Sequence, residues 1–126
     1  MIFFSAVVSP SVFASLNSKG SSRFLRTIFP RMFLFGFVIS LLAFILTILS
    51  NDLFNSIVLV IIGLSFLINR NYLTPLINNF RDQELEGNSK AAKNFKMMHL
   101  LSVLLFIINF FLLILVIVLN YINYNL

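Results

Sequence analysis

The sequence predicts an all-α membrane protein, a four-transmembrane-helix bundle with a short amphipathic interfacial helix between the third and fourth spans. Of its 126 residues, 60% are hydrophobic and only 10% are charged, too few charges to cover the surface of a soluble domain. The apolar residues form runs of near-spanning length, and the basic residues gather in two polar stretches between those runs. We therefore expect a single transmembrane domain over residues 1–126, with spans at about 2–16, 31–49, 53–68 and 98–119.

The charge balance indicates lipid headgroups rather than nucleic acid as the partner. The net charge is +5, but the basic residues lie beside apolar runs, as in loops that face anionic lipid. The absence of cysteine excludes a disulfide, a thiolate nucleophile and an iron–sulfur cluster. We expect the lipid bilayer as partner, with a homo-oligomer or another membrane protein as further possibilities, and no nucleic acid.

The first apolar segment, residues 2–16, is the shortest of the four. A helix needs about 20 residues to cross the hydrocarbon core, so we expect a first span whose outer end lies upstream of Met1. A signal peptide is disfavoured, because no basic residue precedes the segment and Pro10 interrupts it. The polar stretch 17–31 follows, with apolar residues interleaved among its arginines, which is typical of the membrane interface. Pro30 fits the first turn of the next helix.

The second and third spans meet at a tight turn, Ser50-Asn51-Asp52. Gly36, Ser40, Ala43 and Thr47 lie on one face of the second span, a stripe of small residues that predicts close helix packing. The third span, residues 53–68, is rich in Ile, Val and Leu.

The longest polar interval separates the third span from the last. Thr74-Pro75 has the form of a helix N-terminus, and apolar residues then recur at helical spacing through Phe80, which predicts an amphipathic helix at the interface. Glu86-Gly87-Asn88 breaks that helix, and Ser89 can cap the one that leads into the last span, residues 98–119.

The basic residues orient the chain. Four of the nine lie between the first two spans and the other five between the last two, while the turn at Asp52 and the C-terminal tail carry none. By the positive-inside rule both basic stretches are cytoplasmic and the C-terminus is outside. The predicted location is the inner (cytoplasmic) membrane. A re-entrant first segment would leave the same charge pattern.

Four pieces of sequence resemble the transmembrane protein 205-like family: VVSPSVFASL, RTIFPRMF, NYLTPLINNFRD and FKMMHLLSVLLFIINF. The resemblance covers nearly the whole chain and implies a four-helix membrane protein without an agreed activity. The residues in these pieces that we take as family-motif or structural positions are Pro10, Phe13, Phe29, Pro30, Pro75, Asn78, Arg81, Asp82, Phe95, His99 and Ser102.

His99 is the one candidate for ligand chemistry. It shares a face of the last helix with Phe95, Ser102 and Asn109. A neutral imidazole near the membrane boundary can bind haem or copper, and a dimer can supply the second ligand. The competing interpretation, which we favour, is structural: His99 hydrogen-bonds Ser102 or the helix 78–82. We therefore predict no metal and no cofactor, with haem or copper at His99 as the alternative.

The remaining polar residues also indicate structure rather than catalysis. Asn109 lies near the middle of the last span, where we expect it to bond to Ser40 or another helix. Arg81 and the nearby acids indicate local pairing. No catalytic residues are predicted, and the protein is not expected to be an enzyme. The predicted role is structural or partner-binding; the alternatives are a haem- or copper-binding redox protein and an oligomeric small-solute transporter.

Overall fold

The computed structural model describes residues 3–125, and every regular element in that range is a helix. A π-helical turn at Phe4–Val8 leads into the first α-helix, and a second π-helical turn at Asn69–Leu73 joins the third α-helix to the fourth. The five α-helices are α1 (Ser9–Ser15), α2 (Ser18–Leu49), α3 (Leu53–Ile68), α4 (Thr74–Leu85) and α5 (Ser89–Asn125).

Three helical units are long and apolar enough to cross a membrane: Ser18–Leu49, Leu53–Leu85 and Ser89–Ile122. Their length and composition make this a membrane protein. The first apolar segment forms only a short helix, Ala6–Ser15, so the fourth span remains a prediction.

Side-chain caps set where the long helices begin. Asn17 accepts from the backbone N–H of Gly20 at the start of α2, and Asp52 accepts from that of Asn55 at the start of α3. At α5 the cap is Asn88 rather than the expected Ser89, since the Asn88 side chain accepts from the N–H groups of Lys90 and Ala91. Gly87 takes a left-handed conformation (φ +96°), which ends α4 and allows the chain to reverse.

The separate interfacial helix is not confirmed, because α4 continues α3 through the π-helical turn. Pro75 has no N–H, and its ring would clash with the carbonyl four residues earlier in an unbroken α-helix. Here the N–H of Thr74 bonds instead to the carbonyl of Asn69, five residues back, and widens the turn. The same arrangement occurs before Pro10, where the N–H of Ser9 bonds to the carbonyl of Phe4.

The first polar stretch is also helical. Residues 18–31 form the N-terminal part of α2 and run without a break into the apolar part, so that Pro30 lies inside the helix and not in its first turn as expected. The first N–H groups of a helix have no backbone partner within it, so proline, which lacks an N–H, is favoured there, and the sequence therefore indicated a helix start at Pro30. The helix begins instead at Asn17, whose side chain caps it.

The helical unit Leu53–Leu85 is the central layer, with α2 on one side and α5 on the other. In its most apolar stretch of 18 residues, 50% of the residues are buried, against 11% in the corresponding stretch of each of the other two long helices. No Cα atom of the described part of α2 comes within 8 Å of one in α5. The small-residue stripe of α2 packs closely, as predicted, and its partner is α3: a Cβ on Gly36 would lie 2.8 Å from the ring of Phe66, and Ser40 is buried.

Polar side chains join the layers inside the apolar region. The Asn109 amide donates to the Ser65 hydroxyl at 2.9 Å, which confirms the expected bond to another helix, although α3 and not Ser40 provides the acceptor. The Ser56 hydroxyl donates to Thr47 at 2.9 Å. In hydrocarbon these groups have no water to bond, so such pairs help to fix the register of the helices.

Candidate functional site

A cleft of about 670 Å³ opens where α1, α2, α4 and α5 come together. Its walls are positions 4–13 of the first helical segment, positions 18–33 of α2, positions 74–81 of α4 and positions 95–106 of α5. In α2, α4 and α5 these are the stretches in which the sequence changes between charged and apolar, whereas the wall from the first segment is uncharged. We call this feature the cleft and its charged upper edge, around Arg26 and Arg81, the rim.

One side of the rim is closed by an ion pair between α2 and α4, outside the apolar stretches of both helices. Arg26 Nη1 donates to Asp82 Oδ2 at 3.0 Å and Arg26 Nη2 donates to Asp82 Oδ1 at 2.5 Å, a bidentate pair between residues 56 positions apart. These hydrogen bonds, with the nearby positive charge, hold the pKa of Asp82 below its ordinary value, and they raise the pKa of Arg26. The Asp82 side chain is 53% exposed, so solvent screens the pair and its role is more to position Arg26 than to stabilise the fold.

The rest of the rim is a stack of cationic and aromatic groups from α4 and α5. The guanidinium of Arg81 lies 5.4 Å from the centre of the Phe95 ring, and that ring stacks on His99 at 5.9 Å with an interplanar angle of 13°. Arg81 also pairs with Glu84 one helical turn away, as local pairing predicted. The carboxylates thus contact the outer side of the arginines, whereas the lining of the cleft contains Arg26, Arg81 and His99 and neither Asp82 nor Glu84.

Below the rim the cleft is apolar. Phe29 stacks on Phe33, and both face the cleft together with Val103 and Phe106 of α5. At the back, the buried hydroxyl of Ser102 donates to Asn69 Oδ1 at 2.5 Å. Ser102 is therefore already bonded, and the phenylalanines and Val103 give this part of the cleft an apolar wall.

Seven of the eleven residues singled out from the sequence line the cleft: Phe13, Phe29, Asn78, Arg81, Phe95, His99 and Ser102. Asp82 contributes through its pair with Arg26. The three prolines, Pro10, Pro30 and Pro75, lie outside the lining. The expected hydrogen bond of His99, to Ser102 or to the helix 78–82, is not formed: Ser102 bonds to Asn69, and His99 stacks on Phe95.

The sequence reasoning missed three residues of this region: Arg26, Asn69 and Thr74. Asn69 and Thr74 are buried and bonded to each other through the Thr74 hydroxyl and the Asn69 carbonyl, at 2.8 Å. The signal that could have found them is their polarity beside an apolar run, because a polar residue at that depth needs an internal partner. Arg26 carried no such signal, since it resembles the other basic residues of its stretch.

No group of three His, Cys, Asp or Glu side chains comes together among residues 3–125. Haem or copper binding at His99 stays a prediction.

Comparison with known proteins gives one match. The sequence model of a family described as a domain of unknown function, DUF4149, matches residues 1–86, which include α1 to α4 and every cleft residue except those of α5. No curated protein and no solved structure matches the chain.

Proposed function

This chain belongs to the DUF4149 family, a domain of unknown function, and we propose that it is an integral protein of the cytoplasmic membrane that binds a partner in the cleft and catalyses no reaction. The resemblance to the transmembrane protein 205-like family supports the four-span arrangement within this proposal. In this arrangement the segment that contains α1 forms the first span.

The distribution of charge supports the orientation. The three long apolar stretches end at basic residues, Arg31, Arg70 and Lys96. Every other basic residue lies either before Arg31 or between Arg70 and Lys96, in the two polar stretches that these ends share. The positive-inside rule makes these polar stretches cytoplasmic, so the rim of the cleft faces the cytoplasm and the C-terminus lies outside.

One observation carries the binding role: the cleft joins a cationic rim to an apolar interior at the level where the apolar stretches begin. Cavities of about 300–1,000 Å³ with mostly apolar walls and a few polar groups are typical of ligand sites. The acids at the rim, Asp82 and Glu84, both accept hydrogen bonds from arginines. They orient cations for recognition, which suits binding better than acid–base catalysis.

Single cysteines test occupancy of the cleft directly, because the natural chain has none that would also react. Asn78 lines the cleft, whereas its neighbour Asn79 is exposed outside it. In native inverted membrane vesicles, we expect Asn78→Cys to react with a membrane-impermeant maleimide several times more slowly than Asn79→Cys. The difference should shrink after extensive washing of the purified protein in detergent. Equal protection before and after washing would contradict a bound partner.

A further inference from the structure

The depth of the cleft relative to the apolar stretches limits what can occupy it. From Phe95 to Phe106 the wall of α5 rises about 16 Å, at about 1.5 Å per residue. Lys96 marks the inner end of the apolar stretch of α5, so most of that height lies within hydrocarbon and the rim lies among headgroups, a layer about 5–8 Å thick. An occupant that fills the cleft must therefore be amphipathic and must enter from the membrane.

The charge of the lining selects the headgroup. Arg26, Arg81 and His99 line the cleft without a carboxylate among the lining residues. The guanidinium fork of arginine matches phosphate oxygens. Arg26 and Arg81 are already paired with Asp82 and Glu84, so an anion in this position gains from the N–H donors that these two pairs leave free. Arg26 uses its two terminal nitrogens to hold Asp82, yet each arginine has five N–H donors, so further donors stay available for a second acceptor. A zwitterionic or neutral lipid has less to gain from this rim.

The two helices on either side of the cleft do not pack backbone to backbone. No Cα atom of α2 lies within 8 Å of one in α5 among the described residues, so the walls that these helices give to the cleft consist of side chains. An acyl chain can lie along Phe29, Val103 and Phe106 without displacing a bonded polar group, since Ser102 and Asn69 already satisfy each other.

We propose that the cleft holds one anionic glycerophospholipid of the inner leaflet, with its phosphate between Arg26 and Arg81 and an acyl chain on Phe29, Val103 and Phe106. This inference rests on the proposed function and names the partner. A soluble anion does not account for the apolar interior. A peptide from a cytoplasmic protein does not account for the position of that interior within the hydrocarbon layer.

The natural chain has no tryptophan, so a single introduced tryptophan reports on one place only. Phe106→Trp places the probe in the cleft. Leu104→Trp is the matched control: it is two residues away on the same helix, exposed, and outside the lining. Both variants are reconstituted in vesicles of phosphatidylcholine with increasing phosphatidylglycerol, and either lipid carries bromine on its acyl chains to quench the indole.

We expect the cleft tryptophan to be quenched preferentially by brominated phosphatidylglycerol. The preference over brominated phosphatidylcholine should be roughly fivefold for each arginine that contacts the lipid phosphate. The control tryptophan should show little preference. Arg81→Gln in the Phe106→Trp background should remove most of the preference, and Arg81→Lys should restore part of it. Circular dichroism of each variant checks that the helices are intact, and His99→Gln provides an independent variant if Arg81→Gln does not fold.

The outcomes separate this inference from the proposed function. Equal quenching by both lipids at Phe106→Trp would overturn the selection of an anionic headgroup. Absence of quenching by either lipid would overturn lipid as the occupant. In both cases, slow labelling of Asn78→Cys in native membranes that becomes faster after washing would still support a bound partner, one of a different class such as a peptide. Equal labelling of Asn78→Cys and Asn79→Cys would instead remove the proposed function itself.

Discussion

α2 approaches α3 closely at Gly36, and whether an alanine there stabilises or destabilises the protein should depend on Phe66. A Cβ at Gly36 would lie 2.8–2.9 Å from three atoms of the Phe66 ring, against about 3.5–4.0 Å for an ordinary carbon contact. The ring is only 3% exposed and packs against Phe33, with centroids 6.4 Å apart, so it has little room to retreat. Overpacking of this kind costs about 1–3 kcal/mol.

Alanine is also the better helix former, by about 1 kcal/mol over glycine in a helix interior. We therefore expect Gly36→Ala to destabilise the natural protein by a net amount of about 1 kcal/mol. In a Phe66→Leu background the ring is gone, the added methyl group has space, and the same substitution should be neutral or stabilising. The double-mutant cycle should give a coupling energy of about 1–3 kcal/mol.

The assay is unfolding in detergent micelles by titration with sodium dodecyl sulfate. A cysteine at buried Val58, otherwise absent from the chain, reports unfolding through its reactivity with a maleimide in all four variants. If Gly36→Ala costs as much in the Phe66→Leu background as it does beside the natural ring, the clash with that ring is not the reason that glycine is needed. The described packing of α2 on α3 would then be wrong.

Three further predictions follow from the polar contacts. Asn109→Ala should destabilise the protein by about 0.6 kcal/mol and by no more than about 2 kcal/mol in the same titration, and it should lose its effect in a Ser65→Ala background, because that hydroxyl is its partner. The natural protein should be more stable than Asp82→Asn, with the difference fully present above about pH 4. The difference should fade as the pH falls through the lowered pKa of Asp82, since protonation removes the acceptor of Arg26. Unfolding titrations of both proteins at a series of pH values measure this, and a difference that persists at low pH would contradict it. His99→Ala should leave the absorption spectrum of the purified protein unchanged, whereas a haem band that disappears in this variant would support the redox alternative.

The sequence was most informative where one residue type has one physical use. Gly36 and Ser40 are small residues on a membrane helix, and small residues there allow close packing, so close packing of this face could be predicted, although α3 as the partner could not. Asn109 is an amide in hydrocarbon, so a partner on another helix could be predicted, although its identity as Ser65 could not.

Helix boundaries were predicted less well, because local signals compete with continuity. Thr74-Pro75 has the composition of a helix start, but a π-helical turn accommodates the proline and the helix continues from α3 into α4. The polar composition before Pro30 indicated an interfacial segment, yet the backbone hydrogen bonds of α2 extend through it from the cap at Asn17.

The composition of the cleft depends on contacts that are distant in sequence. The resemblance of four sequence pieces had indicated Asn78, Arg81 and His99, but nothing local connects Arg26 with Asp82, 56 residues later. The stack of Arg81, Phe95 and His99 likewise needs α4 and α5 to meet after the turn at Gly87.

The orientation of the rim in the cytoplasm is the central claim, and impermeant labelling of two single cysteines tests it most directly. Glu86→Cys lies in the turn between α4 and α5, and Ser50→Cys lies in the turn between α2 and α3, at the opposite ends of the long helices; both positions are exposed. We expect Ser50→Cys to react in intact cells and Glu86→Cys to react only in inverted vesicles. Reaction of Glu86→Cys in intact cells would place the rim outside and contradict the proposed orientation.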